Sequence, residues 1–118
     1  MHFILVLSYI GVELDKYNRP NFDLRRTDLF KIYPLTWEDS EILSEDFCYT
    51  YNIQKDTGLL LDLGDMDYAN AEQCKVLKPR IEERLKKPIT PRLKELYTVL
   101  LDYISRAIEY NTGVWIDF

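Results

Sequence analysis

Apolar residues run almost without a break from Phe3 to Val12, alternate with polar ones in mid-chain, and recur at helical spacing toward the end. This succession divides the chain into elements. Residues 3–14 (F-I-L-V-L-S-Y-I-G-V-E-L) offer no polar face and many β-branched or aromatic side chains, which predicts a strand covered on both sides. Gly11 would mark a bulge or bend near its end. The stretch 17–21 is dense in turn formers. Over 22–33, Phe22 and Leu24 alternate like a second strand with an irregular end, while Thr27 and Asp28 could cap a short helix that Pro34 would stop.

Thr36 precedes Trp37-Glu38-Asp39 as an N-cap residue, with carboxylates where the helix dipole favours them. Trp37, Ile42 and Leu43 give a short helix, over by Glu45, something to bury. Residues 47–54 then alternate with period two: Phe47, Tyr49, Tyr51 and Ile53 on one side, Cys48, Thr50, Asn52 and Gln54 on the other. With a turn at 55–58 and a return over 59–63, this predicts a hairpin. Cys74, Leu77, Ile81 and Leu85 carry helical spacing through 69–87, with Pro79 inside as a source of kinking. Thr90-Pro91 restarts a helix that runs to about Tyr110. Gly113, able to take positive φ, closes it, and 114–118 is a last strand.

The expectation is one α+β domain over residues 1–118. It comprises an antiparallel-rich sheet of about four or five strands, a C-terminal helical pair packed on one face, and a final C-terminal strand. The strand–helix–helix–strand ending allows that final strand to lie parallel to 59–63.

Composition narrows the class. An apolar fraction of 47% excludes a disordered chain. The run 3–12 is too short for a membrane helix. No Lys or Arg precedes it and Glu13 and Asp15 follow, which is not the charge order of a secretory signal. The two cysteines, Cys48 and Cys74, form no C-x-x-C pair and read as buried free thiols, which suits a cytoplasmic protein.

The net charge of −5 is segregated: residues 36–72 carry −9 and residues 73–94 carry +6. Either the two segments fold against each other and cancel, or they present an acidic and a basic recognition patch. The cations of the basic segment, Lys75 to Lys94, could face phosphate backbones or simply solvent. The overall acidity argues against nucleic acid.

Catalytic signatures are missing. The only histidine, His2, stands at the chain start, and no two glycines have the spacing of a dinucleotide or phosphate loop. No cofactor is implied. Asp62, Asp65 and Asp67 are three carboxylates within six residues and form the one candidate site for a hard metal ion, without EF-hand spacing. The segments 56–63 and 111–118 echo each other, which would place Asp62 and Asp117 on one sheet face.

The reading that best fits is a small acidic domain for protein–protein interaction. It would bind a basic partner through Trp37, Glu38, Asp39, Glu41 and Asp46, in the manner of an immunity-type inhibitor that neutralises a nuclease. The competing expectations are a carboxylate-dependent metal protein and a homo-oligomer joined through an aromatic sheet face.

Overall fold

The apolar run at the start of the chain becomes the middle of a sheet. In the computed structural model, which describes residues 1–118, β1 (His2–Val6) pairs antiparallel with β2 (Phe30–Pro34) on one side and with the last strand, β4 (Val114–Asp117), on the other. The edge strand β3 (Met66–Ala69) pairs antiparallel with β4, giving the order β2-β1-β4-β3. The final strand is thus antiparallel to both neighbours, and no parallel pair with 59–63 exists.

Both faces of the central strands are covered, as an unbroken apolar run requires. Phe3 and Leu5, with Val114, Ile116 and Phe118, face the main core beneath the helices. Ile4, Val6 and Trp115 face a smaller core under the long connection 7–29, which brings Val12 and Phe22 onto the sheet. Trp115 Nε1 donates to the Pro20 carbonyl at 3.0 Å and so pins that connection. The first strand therefore ends at Val6, not at Leu14: residues 9–11 are exposed, and the rest of the run serves as cover.

Thr36 and Asp39 form a reciprocal cap at the start of α1 (Trp37–Ser44). The threonine Oγ1 accepts from the Asp39 amide, and an Asp39 oxygen accepts from the Thr36 amide, both at 3.1 Å. The chain does not then enter a strand. It widens into a π-helical segment, Glu45–Thr50, and ends on Asn52 in the left-handed region. The hairpin expected over 47–63 is absent. Period two places Tyr49 inside, yet Tyr49 is 60% exposed while Asp46, Phe47 and Cys48 are buried. The stripe that decides the matter is Asp39, Leu43 and Phe47, continued from α1 at helical spacing.

The helices α2 (Ala71–Leu85) and α3 (Pro91–Tyr110) form the expected pair. α2 stays one element across the exposed Pro79. Its cap is Asn70, in a reciprocal pair with Gln73. At the end of α3, Asn111, not Gly113, takes the left-handed conformation (φ 55°). Gly113 is needed for another reason: a Cβ there would lie 2.2 Å from the Ala69 carbonyl oxygen. No helix is long and apolar enough to cross a membrane.

Candidate functional site

The α1 start and the π-helical segment present two faces of opposite character. On the inner face, Asp46 is 8% exposed and receives three hydrogen bonds. Arg84 of α2 donates through Nε (2.8 Å) and Nη2 (3.1 Å), and the Tyr97 hydroxyl of α3 donates at 2.6 Å. Burial first, and the hydrogen bond to Asp46 second, push the Tyr97 hydroxyl pKa upward, so it remains a donor. Arg84 completes its fork on the Pro88 carbonyl and lies 4.1 Å from the centre of the Tyr51 ring. Seven residues earlier, on α1, Asp39 meets Arg92 in a second two-pronged pairing, at 2.9 and 2.8 Å. Asp39 and Asp46 thus act as counterions inside the fold and are not on the surface expected to bind a partner. The cause is local: buried carboxylates persist where an arginine fork satisfies both oxygens.

The outer face keeps its charge. Glu38, Glu41, Ile42, Glu45 and Tyr49 succeed one another at intervals of one, three and four residues and are all exposed. Trp37, 53% exposed, stands beside Glu38 in the first turn. Glu41, Ile42, Ser44, Glu45 and Tyr49 line one side of a groove of about 470 Å³, and Asp62 and Leu63 line the other. Asp62 is held in place by the Tyr49 hydroxyl, which donates at 2.5 Å, and by the Leu63 amide at 2.7 Å. The Tyr49 bond lowers the Asp62 pKa, so the groove retains this third negative charge. No Lys or Arg lies within 4.0 Å of Glu38, Glu41, Glu45 or Asp62.

Of the residues singled out from the sequence for partner binding, the structure therefore gathers Trp37, Glu38 and Glu41 on one face. Sequence reasoning missed Ile42, Glu45, Tyr49 and Leu63. The signal for all but Leu63 was the helical spacing 38, 41, 42, 45, 49, which the alternation of 47–53 masked.

The candidate metal carboxylates do not converge. Asp62 turns to Tyr49, and Asp67 accepts from the Leu60 amide (3.0 Å) and from the Tyr68 amide (2.8 Å). Asp65 is exposed, with its backbone bonded to residues 62 and 118. No group of three or more His, Cys, Asp or Glu side chains is arranged to hold a metal ion. Nor does Asp62 meet Asp117, which lies 2.9 Å from His2 Nδ1 without in-line hydrogen-bond geometry.

Both thiols are free and buried. Desolvation leads in pushing each to about 12, and for Cys48 the nearby Asp62, Asp65 and Glu45 add to it. Neither is an activated nucleophile. Comparison with protein-family models, with curated proteins and with solved structures finds no match for this chain.

Proposed function

We propose that this domain captures a basic protein through the outer face of α1 and the groove beside it. The observation that carries the reading is the combination of uncompensated charge and apolar surface in one place. Glu41, Glu45 and Asp62 line a groove with Ile42, Leu63 and Tyr49 and have no cation near them. Carboxylates of this kind steer a positively charged partner and fix its register, while exposed Ile, Leu and aromatic side chains supply area that desolvates on binding. An immunity-type inhibitor that covers the basic surface of a nuclease is the finer form of this proposal. Its support is the acidity of the sequence and the rigid mounting of the face: the Asp46–Arg84 and Asp39–Arg92 pairs anchor the same segment from behind.

The test is the charge reversal E41K/E45K, two exposed positions whose replacement leaves the inner ion pairs intact. Proteins captured from the native host by the wild-type domain are identified, and association with a stoichiometric basic partner is timed at several salt concentrations. The expected result is association slowed about tenfold or more at low salt, with the difference shrinking as salt rises. Unchanged association of the reversed variant would place the interface elsewhere.

A further inference from the structure

A second cleft, of about 430 Å³, lies between the 51–55 turn and α2 and has the opposite charge. Four of its nine lining residues are basic: Lys55, Arg80, Arg84 and Lys87. Arg84 is neutralised by Asp46, and Glu83, the one acidic residue in the lining, pairs with Lys86 at 2.8 Å outside it. Lys55, Arg80 and Lys87 have no carboxylate within 4.0 Å. A chain with a net charge of −5 thus leaves three cations unpaired around a single cleft. The two loosest of them are set around a fixed one. Arg80 spends only Nη1 on the fold, donating to the Ile53 carbonyl at 2.9 Å and to the Lys55 carbonyl, so Nε and Nη2 remain open as donors. Tyr51, 38% exposed and backed by the Arg84 guanidinium, forms a flat wall beside Lys87.

We propose that this cleft is a binding site for a small phosphate monoester. Three cations suit the three terminal oxygens and double charge of a phosphate group better than a carboxylate, which a single arginine fork already satisfies. The cleft volume is in the range of small-molecule sites and leaves room for an organic body against Tyr51.

Inorganic phosphate is titrated into the isotope-labelled protein at constant ionic strength, with chloride as the balancing anion, and amide shifts are followed by NMR. Phenyl phosphate is then titrated in the same way. Saturable shifts of residues 51–55 and 80–87 are expected, with tighter binding of phenyl phosphate. K55A/K87A should weaken both by about a hundredfold, close to tenfold for each charge-assisted hydrogen bond removed. K55R/K87R should retain them. Both lysines are exposed, so the variants keep the fold, which a thermal melt without phosphate checks. Linear, non-saturating shifts, shifts confined to other residues, or unchanged affinity in K55A/K87A would overturn the proposal. None of these readouts involves Glu41 or Glu45, so the result is independent of partner capture.

Discussion

Asp39 joins two jobs in one side chain that is only 4% exposed: it closes the helix cap with Thr36 and holds Arg92. Arg92's hydrogen bonds outweigh the opposing effect of burial and hold the carboxyl down at about 2. A folded-state value below the unfolded one means the group stabilises the protein fully above the ordinary carboxylate range. That contribution is lost as pH falls from about 4 through about 2. Asp39→Asn keeps one acceptor oxygen and removes the titrating charge together with one acceptor for Arg92, so it is the pH-dependent part of its effect that reports the charge. Because Arg92 is 44% exposed, the expected difference is reduced by solvent screening to about 1 kcal/mol. In urea unfolding at pH 6, D39N should be less stable than wild type by that amount, and the gap should close as pH falls through about 2. A constant gap across the range would show that the loss does not come from the Asp39 charge.

The segment 59–63 shows how an element can look like a strand without being one. Leu59 and Leu61 are buried and Leu60 is exposed, the alternation expected of a strand, yet no ladder forms. One side-chain amide takes the place of the partner strand. Gln54 Nε2 donates to the Leu61 carbonyl and its Oε1 accepts from the Leu61 amide, each at 2.9 Å. Gln54→Ala would leave both backbone groups of a buried residue unpaired, and the expected loss is about 1–3 kcal/mol in thermal or urea unfolding. Gln54→Glu keeps the acceptor for the Leu61 amide but sets a carboxylate oxygen against the Leu61 carbonyl, so it too should be destabilising in the same measurement. The period-two pattern was therefore real for 59–61 and misleading for 47–53, where Tyr49 imitated an inward residue. A sequence does not state whether a backbone group will be satisfied by a strand or by a glutamine. Nor does it state that polar Asp39, Ser40 and Ser44 belong to the buried side of a helix. Where the stripe was apolar, as at Cys74, Leu77 and Ile81 or at Leu93, Leu96 and Leu100, the helices were legible almost to their ends.

Across the whole molecule, the acidic and basic segments of the sequence settle their opposition in two pairs with buried carboxylates, Asp46–Arg84 and Asp39–Arg92, and in one exposed pair, Glu72–Lys75, and they leave separate acidic and basic clefts. Charge segregation was visible in the sequence, but which charges cancel depends on which face of α1 turns inward. The Asp46 knot ties the π-helical segment to both α2 and α3, so its removal should be felt globally. Asp46→Ala strands the Arg84 charge at 5% exposure and should cost about 3–5 kcal/mol in urea unfolding. The double change D46A/R84M, which removes both charges, should recover much of that loss. Strand order was the least legible property, since a strand's sequence records its burial and not its neighbour. That order carries a consequence in time. Of the four strands, β1 is synthesised first, and it sits between β2 and the strand of this sheet made last, with Leu5 opposite Val114. Until β4 emerges, one edge of the most apolar strand has no mate, and the helices have only half a floor to rest on. The nascent chain must hold Phe3–Val6 away from other chains until Val114–Asp117 has been made, a window in which a chaperone would find its binding segment already displayed.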